Sequence, residues 1–239
     1  MRDTKLETLA IIPARGGSKG INRKNLQEVN GVSLVGMAIR FAMSTRLFDA
    51  VHLSTDSEEI AKEGEKYGCR PRFMRSAETS GDRASATEVI REIRTRLLNE
   101  GTSVQRYVLL EPTSPMREAR FVSQAIDLTR QKYDAALTVS PVDLKYHPDK
   151  QFRVSQQGDA EFFTANGPSV VARQELVPTY IRNGFCYVVN EQAIADGWSI
   201  LGSRLGAVLC DVPYVNIDSP EDLNRCRRMM ARRDSRGQS

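Results

Sequence analysis

The residues that most clearly suggest chemistry lie near the amino end of the chain, between Pro13 and Asn25. This stretch follows the apolar run 9–12 and combines three glycines with four cations, namely Gly16, Gly17, Gly20, Arg15, Lys19, Arg23 and Lys24. Backbone N–H groups of a glycine-rich turn can surround phosphate oxygens, and neighbouring cations neutralise their charge. The spacing matches neither a Walker A loop nor the dinucleotide fingerprint. Residues 13–25, called the phosphate loop below, therefore predict a phosphate-binding turn of another type.

A hydrolase is a competing interpretation of the same residues. Gly16-Gly17-Ser18-Lys19-Gly20 matches the Gly-x-Ser-x-Gly turn that presents a nucleophilic serine. In that turn a strand passes through the serine directly into a helix, whereas here the next helical pattern begins only near Ser33. The required histidine would have to be His147, which lies in an irregular stretch. The pattern therefore favours phosphate binding over hydrolysis.

The elements that must position this loop alternate along the chain. Apolar runs predict strands at 9–12, 51–55, 107–110, 135–139, 185–189 and 207–209. Apolar spacing and capping residues predict helices after Ser33, from Asp56 to about Tyr67, from Ser85 to Gly101, over 121–128 and from Ser219. For two of these helices the predicted caps are capping boxes, Asp56 with Glu59 and Ser85 with Glu88. Such alternation is typical of a three-layer α/β sandwich with a mostly parallel, Rossmann-like sheet.

Residues 140–183 break this alternation. They form a polar stretch that contains several prolines and glycines and is longer than a loop in a compact domain. We therefore expect a single domain over 1–239 with an excursion at 140–183 that has its own task.

Composition limits the class of protein. The 239 residues are 40% hydrophobic and 27% charged, which is too apolar for a disordered chain, and the net charge of +4 suits an anionic ligand without requiring nucleic acid. No apolar run is long enough to cross a bilayer or to act as a signal peptide, so we expect a cytoplasmic protein. The four cysteines show no metal or disulfide spacing and are expected to be reduced.

Further motifs occur in a fixed order along the chain. They are Leu53-Ser54-Thr55-Asp56, Arg75-Ser76-Ala77-Glu78, Asp82-Arg83-Ala84-Ser85, Leu109-Leu110-Glu111-Pro112-Thr113-Ser114-Pro115-Met116-Arg117, Arg173-Gln174, Arg182-Asn183-Gly184 and Ile217-Asp218-Ser219-Pro220-Glu221-Asp222. Together with the phosphate loop, they resemble the acylneuraminate cytidylyltransferase family nearly from end to end. The resemblance implies a nucleotidyltransferase sheet and a reaction in which the anomeric hydroxyl of an acidic 3-deoxy-2-keto sugar attacks the α-phosphate of CTP. Pyrophosphate leaves and a CMP-sugar remains.

The resemblance also implies which residues hold the nucleotide. Arg15 and Lys24 match the catalytic loop of the family and are expected to bind the triphosphate. Lys19 is expected to assist them. The remaining expected nucleotide contacts are Ala14, Gly16, Gly17, Ser18, Asn25, Arg75 and Ser85. For Arg75 a surface salt bridge is the alternative role.

A magnesium ion is implied as well, since Mg²⁺ prefers carboxylates and phosphate oxygens and would orient the triphosphate and help the hydroxyl to ionise. Asp218 is the expected catalytic and metal-binding carboxylate. Many relatives read Asp-Ile-Asp where this chain has Asn216-Ile217-Asp218. If these residues form a strand, Asn216 and Asp218 share a face and can reach one ion. The amide at Asn216 predicts weaker metal binding, and a helix-capping or structural role is the alternative for Asp218.

Glu111 is a second departure, because the family motif usually has glutamine there. Ionised glutamate only accepts hydrogen bonds, whereas glutamine also donates. We expect Glu111 to contact a donor, which could be an amino group of the sugar, an arginine such as Arg117, or a different nucleobase. A guanine base presents paired N–H donors, so use of GTP stays an alternative to CTP.

Sugar recognition is expected from the excursion, where Arg173, Gln174, Arg182 and Asn183 match a family segment near the acidic sugar. Arginine suits this task because its fork can hold a carboxylate by two hydrogen bonds. In relatives this segment reaches a second subunit, and Phe152, Phe162 and Phe163 would be poorly placed on the surface of a monomer. A homodimer is therefore expected.

The sequence thus predicts a cytidylyltransferase acting on N-acetylneuraminate or a related nonulosonate. Three alternatives stay open. The sugar could be an octulosonate or an amino-octulosonate, the nucleotide could be GTP, or the chain could bind nucleotide without catalysis, as the replacements at Asn216 and Glu111 would allow.

Overall fold

A six-stranded sheet forms the centre of the molecule. The computed structural model describes residues 4–81 and 84–236, and residues 82 and 83 of the predicted motif Asp82-Arg83-Ala84-Ser85 lie outside them. The strand order is β10-β6-β9-β5-β1-β4. Strand β9 runs antiparallel to both of its neighbours, while the other pairings in this sheet are parallel. The predicted, mostly parallel sheet is confirmed.

The elements in the described residues follow one another in the predicted alternation. The strands are β1 (Thr4–Pro13), β2 (Glu28–Val29), β3 (Val32–Ser33), β4 (Ala50–Ser54), β5 (Thr102–Leu109), β6 (Ala135–Pro141), β7 (Phe152–Val154), β8 (Ala160–Phe162), β9 (Tyr180–Asn190) and β10 (Leu205–Leu209). The helices are α1 (Leu34–Ser44), α2 (Glu58–Glu65), α3 (Ala77–Ser80), α4 (Ala86–Asn99), α5 (Ala119–Gln131), α6 (Glu191–Ala195) and α7 (Pro220–Arg236). None of these helices has the length and apolar character needed to span a bilayer.

Helices cover both faces of the sheet, so the fold is a three-layer sandwich. Successive side chains of β1 point to opposite faces, which places Leu9 and Ile11 in one core and Ala10 and Ile12 in the other. The first core contains residues of α4 and α6, and the second contains residues of α1, α2, α5 and α7. Because β1 is buried on both sides, its carboxyl end holds the start of the phosphate loop firmly in place.

Local capping agrees with the sequence at two helices and differs at a third. Ser33 caps α1, and Ser85 with Glu88 forms the capping box of α4, as predicted. The predicted capping box of Asp56 and Glu59 is wrong, because Ser57 is the residue that caps α2. The Asp56 carboxylate instead accepts a hydrogen bond from the backbone of Gly16. The error comes from a neighbouring serine that could serve equally well as the cap.

The excursion is shorter than predicted. Strand β6 continues to Pro141 and pairs with the beginning of β9 at Tyr180, so residues 142–179 rather than 140–183 lie outside the sheet. Short 3-10 turns and the β7–β8 hairpin make up much of this segment. Leu176 is buried, but many of the large apolar side chains of this segment are exposed, among them Tyr146, Phe152, Phe162, Phe163, Val171 and Val177. Phe152 and Phe162 stack on each other at 4.5 Å between ring centroids.

Candidate active site

A pocket of about 240 Å³ lies at the carboxyl ends of β1 and β5. Ligands of α/β sheets bind at this edge, outside the carboxyl ends of parallel strands. The lining residues are Pro13, Arg15, Gly17, Ser18, Lys24, Asn25, Arg75, Ala84, Ala86, Val89, Leu109, Glu111, Pro112 and Thr113. The first six belong to the predicted phosphate loop, so the structure brings that loop to the pocket. The apolar wall of Ala84, Ala86, Val89 and Leu109 was not predicted.

Hydrogen bonds from neighbouring elements fix the path of the phosphate loop. The Ala14 N–H donates to the Ser54 carbonyl at 2.9 Å, and the Asn25 amide donates to the Arg15 carbonyl at 3.0 Å. The Gly16 N–H donates to Asp56 Oδ1 at 2.7 Å. The backbone N–H groups of Ala14 and Gly16 therefore hold the loop, and neither residue lines the pocket, which corrects their expected contact with the nucleotide. Between Gly16 and Lys24, the loop residues that line the pocket are Gly17 and Ser18.

Lys24 is oriented by a carboxylate from the far end of the chain. Its Nζ lies 2.9 Å from Asp218 Oδ1, and the Lys24 side chain is mostly buried while the Asp218 side chain is 72% exposed. Two backbone contacts hold this segment in place. The Ile217 N–H donates to the Thr113 carbonyl at 2.9 Å, and Gly20 packs against the Asp218 carbonyl. The ammonium of Lys24 is thus held at the pocket with its charge balanced by one exposed carboxylate.

Arg75 lines the pocket but does not form the surface salt bridge considered as its alternative role. Its Nε donates to Ser54 Oγ at 3.1 Å, and its two terminal nitrogens donate to the carbonyls of Ser54 and Thr79. Burial lowers the pKa of the Arg75 guanidinium, while the nearby Asp56 and Glu92 carboxylates act in the opposite direction. The guanidinium is thus a partly buried positive charge in the pocket wall.

Ser85 does not line the pocket. Its hydroxyl accepts a hydrogen bond from the Glu88 N–H as the cap of α4, and its neighbours Ala84 and Ala86 line the pocket in its place. The expected nucleotide contact of the Ser85 side chain is therefore corrected to a structural role. The helix that it caps carries Val89 into the apolar wall.

Glu111 follows β5 and lines the pocket, and burial raises the pKa of its carboxyl group. The alternative that Glu111 pairs with Arg117 is not supported by a hydrogen bond, because the Arg117 guanidinium donates to the backbone carbonyls of Glu111 and Phe185 instead. Burial lowers the pKa of Arg117 to about 10. Within residues 4–81 and 84–236, no side chain or backbone group donates a hydrogen bond to the Glu111 carboxylate. The charge of Arg117 nevertheless acts on it most strongly, followed by those of Asp218, Arg182 and Lys24.

The residues expected to bind magnesium fit the ion only in part. Asn216 and Asp218 do not form a strand, so the argument that they share a face is wrong. Ser219 and Asp222 provide the hydrogen bonds at the start of α7, which removes helix capping as the alternative role of Asp218. Asp218 Oδ2 is available at the exposed edge, and Asn216 Oδ1 is buried without a hydrogen-bond partner. The described residues contain no group of three or more acidic, histidine or cysteine side chains that could hold a metal. The arrangement suits a cation that shares its ligands with a bound triphosphate.

The four expected sugar contacts are separated by the fold. Arg182 lies close enough to Glu111 to influence its carboxyl, whereas Arg173 and Gln174 are exposed in a 3-10 turn of the excursion. Asn183 is fully buried, and its side chain bonds Ser140 Oγ and the Phe185 N–H. The expected sugar contact of Asn183 is therefore corrected to a structural role.

The hydrolase interpretation is not supported by the position of His147. This histidine is buried in the excursion, where Nε2 lies 2.8 Å from the Val177 carbonyl and Nδ1 accepts from the Asp149 N–H. Both ring nitrogens are engaged with the backbone, so the ring braces the excursion and is not available as a base. The four cysteines are free and buried, as expected.

Comparison with known proteins agrees with this geometry. Residues 9–195 match the sequence profile of the family described as cytidylyltransferase. An N-acylneuraminate cytidylyltransferase A from Danio rerio is 33% identical over 191 residues, which are 79% of this chain and 42% of that protein. The chain thus spans less than half the length of this relative. A CMP-N,N'-diacetyllegionaminic acid synthase from Legionella pneumophila is 25% identical over 231 residues, which cover 94% of this chain and 97% of that protein.

A solved structure shows the same fold. It is that of a CMP:2-keto-3-deoxy-manno-octonic acid synthetase complexed with CTP, which superimposes with a TM-score of 0.69 at 19% identity and covers 95% of this chain and 99% of that one. Both the predicted nucleotidyltransferase fold and the predicted family are confirmed. Since the profile matches residues 9–195 of 239, the chain belongs to the cytidylyltransferase family of nucleotidyltransferases.

Proposed function

We propose that this chain transfers CMP from CTP to the anomeric hydroxyl of an acidic 3-deoxy-2-keto sugar, a nonulosonate of the N-acetylneuraminate class. The observation that carries the proposal is the pocket at the ends of β1 and β5, where Arg15, Lys24 and Arg75 meet the backbone of Gly17 and Ser18. Three cations beside a glycine-rich turn suit a triphosphate. The names of the relatives from Danio rerio and Legionella pneumophila support the nonulosonate class.

The reaction needs an oxygen of the sugar to displace pyrophosphate from the α-phosphorus. A bond forms between the anomeric oxygen and phosphorus, the bond to the bridging α–β oxygen breaks, and pyrophosphate leaves with the electron pair while the hydroxyl proton passes to solvent. Most of the catalysis of such a step comes from positioning and charge neutralisation. Arg15 and Lys24 are assigned to the triphosphate oxygens, and Lys19 has a lesser part.

The remaining nucleotide contacts follow from the lining of the pocket. The apolar wall, which contains Ala84, Ala86, Val89 and Leu109, offers a surface for the flat face of the base. Arg75 holds its guanidinium at the pocket by hydrogen bonds to Ser54 and Thr79. Asn25 keeps the loop in shape through the Arg15 carbonyl.

A divalent cation, Mg²⁺ in our proposal, would be held by Asp218 together with phosphate oxygens, and Asn216 would be a weaker ligand. When bound, such an ion orients the triphosphate and favours ionisation of the attacking hydroxyl. The exposed Asp218 carboxylate already bonds Lys24. This ion pair keeps both groups beside the pocket before substrate arrives.

A homodimer is part of the proposal. The excursion exposes Val171 and Val177 at 91% and 75% and several aromatic side chains besides. Monomeric proteins rarely leave so many neighbouring apolar groups in water. Arg173 and Gln174, which do not line the pocket of their own chain, are then available to a second subunit, while Arg182 serves its own.

The test is pyrophosphate release from CTP and Mg²⁺ with N-acetylneuraminate, a diacetylated nonulosonate and an octulosonate as separate acceptors. We expect release that depends on a nonulosonate and is absent with GTP. Release with the octulosonate alone would move the proposal to that sugar, and release with GTP alone would overturn the choice of nucleotide. Binding of CTP without pyrophosphate release in the presence of any of these sugars would indicate a nucleotide-binding protein that lacks catalysis.

A further inference from the structure

The Glu111 carboxylate is the one acidic group among the described residues that line the pocket. Among the described residues, none donates a hydrogen bond to this carboxylate. The Arg117 guanidinium, whose charge acts on it, donates to two backbone carbonyls, and Ser114 Oγ donates to the Asn183 carbonyl at 3.0 Å. The Glu111 side chain is partly exposed to the pocket, so a ligand that fills the pocket displaces its water and must supply a hydrogen-bond donor in return.

The backbone of strand β9 passes close to the Glu111 carboxylate at Gly184. Gly184 has a φ of +72°, and a Cβ atom there would lie 2.7 Å from Glu111 Oε2 and overlap the Ser114 hydroxyl. Glycine is the residue that adopts this conformation without strain. The strand β9 therefore packs against one side of the carboxylate, and the pocket is left on the other.

The charges near Glu111 indicate which part of the ligand it meets. Besides Arg117, the charges of Asp218, Arg182 and Lys24 act on its carboxyl, whereas those of Asp56, Glu92 and Arg15 act on Arg75. Lys24 and Asp218 belong to the proposed phosphate and metal end, where the attacking sugar must arrive. Glu111 therefore faces the sugar side of the pocket.

The sugar and the triphosphate are both anions that repel a carboxylate beside them, and a positively charged group on the sugar offsets this repulsion directly. We propose that Glu111 determines specificity by accepting a hydrogen bond from a basic nitrogen of the sugar, either an amine or an amidine. The preferred acceptor is then an acidic keto sugar in which at least one nitrogen is not acetylated. This inference rests on the proposed function.

The test uses two nonulosonates that differ only at one nitrogen, which is an acetamido group in one and an amino or amidino group in the other. For the wild type we expect kcat/KM for the basic sugar to be about 10- to 100-fold higher, as is typical of a charge-assisted hydrogen bond. In Glu111→Gln, which keeps the shape but removes the charge, we expect this preference to disappear, chiefly through a higher KM for the basic sugar. Glu111→Asp should keep part of the preference.

Glu65→Gln, at the exposed end of α2, is the matched control and should behave as the wild type. An unchanged preference in Glu111→Gln, or a wild type that favours the acetylated sugar, would overturn the inference. So would an effect of Glu111→Gln on CTP affinity with no effect on sugar preference, since that would place the carboxylate at the nucleobase.

Sugar affinity measured by calorimetry in the presence of CTP gives the same comparison without turnover. If the wild type binds the basic sugar more tightly but releases no pyrophosphate with any acceptor, the proposed reaction fails and the role of Glu111 in recognition stands. If CTP releases pyrophosphate with equal efficiency in the presence of either sugar, the reaction stands and the inference fails.

Discussion

Lys24 and Asp218 show how single residues far apart in sequence define the site. Their side chains meet at 2.9 Å across a separation of 194 residues. Lys24 was predicted from its motif, but its pairing with Asp218 was not, because no local pattern indicates which distant carboxylate a lysine will meet. The same limit applies to Glu111. The sequence shows that glutamate replaces the usual glutamine there, but it does not show that Arg117 donates its hydrogen bonds to backbone carbonyls.

Replacement of Lys24 by alanine should reduce kcat/KM far more than the same change at Lys19. Lys24 lines the pocket and Lys19 is exposed without lining it. Loss of one preorganised cation at a phosphoryl group typically costs about 10²–10³ in rate, and we expect Lys19→Ala to stay within about tenfold of the wild type. Steady-state kinetics of pyrophosphate release would measure both. Equal losses in the two variants would contradict the role given to Lys24.

At the scale of elements, the phosphate loop is held from several directions. Strand β1 fixes its start, Asp56 binds Gly16, and the backbone of residue 218 packs against Gly20. The strand and the glycine-rich turn were predictable, because apolar runs and glycines act locally. The contacts of Asp56 and Gly20 were not, because they join segments that are distant in sequence.

Two glycines of the loop provide a matched pair for testing this packing. A Cβ atom at Gly20 would overlap the Asp218 carbonyl, whereas one at Gly17 would meet nothing within 4 Å. We expect Gly20→Ala to push the loop away from Asp218 and to weaken CTP binding by about tenfold or more, a cost typical of overpacking. Gly17→Ala should unfold at nearly the wild-type denaturant concentration. If calorimetry finds that Gly20→Ala binds CTP with wild-type affinity, the packing of Gly20 against Asp218 is not needed to position the loop.

Strand β4 contains a buried histidine with a consequence for stability at acid pH. Burial, followed by the charges of Arg72, Arg75 and Arg96, lowers the pKa of His52 to about 4, and Glu92 acts in the opposite direction. Between pH 6.5 and about 4 the unfolded chain binds a proton that the folded chain does not, so the free energy of unfolding falls as the pH falls. The loss due to His52 should approach about 3 kcal/mol.

His52→Leu should remove this loss, and urea unfolding of both proteins at several pH values between 4 and 7 would measure it. Glu111, whose pKa is raised, contributes with the opposite sign in part of this range, but its contribution cancels in the difference between the two proteins. A wild type and a variant that lose stability in parallel between pH 6.5 and 4 would rule out His52 as the cause.

At the scale of the whole molecule, most of the architecture could be predicted. The alternation of strands and helices predicted the three layers, and the structure places Leu9 and Ile11 in one core and Ala10 and Ile12 in the other. The antiparallel direction of β9 and the shorter excursion were not predictable, because strand order and direction depend on pairing across the sheet. Pairing of Pro141 with Tyr180 determines where the excursion begins and ends.

The proposed dimer can be tested on a side chain that contributes little to the monomer. Val177 is 75% exposed, so Val177→Asp should leave the fold intact but place a charge in an apolar interface. We expect the wild type to have the mass of a dimer by light scattering and the variant that of a monomer. Leu98→Asp, on exposed α4 surface, is the control and should remain a dimer. A monomeric wild type would refute the proposal.

The most direct test of the central claim follows the α-phosphate of CTP. CTP that carries a radioactive α-phosphate is incubated with Mg²⁺ and a nonulosonate, and the labelled products are separated and counted against released pyrophosphate. The account predicts that the label moves to a CMP-sugar in an amount equal to the pyrophosphate, and that neither product forms without the sugar. Label that remains in CTP although the protein binds it, or that appears as free CMP, would contradict the account.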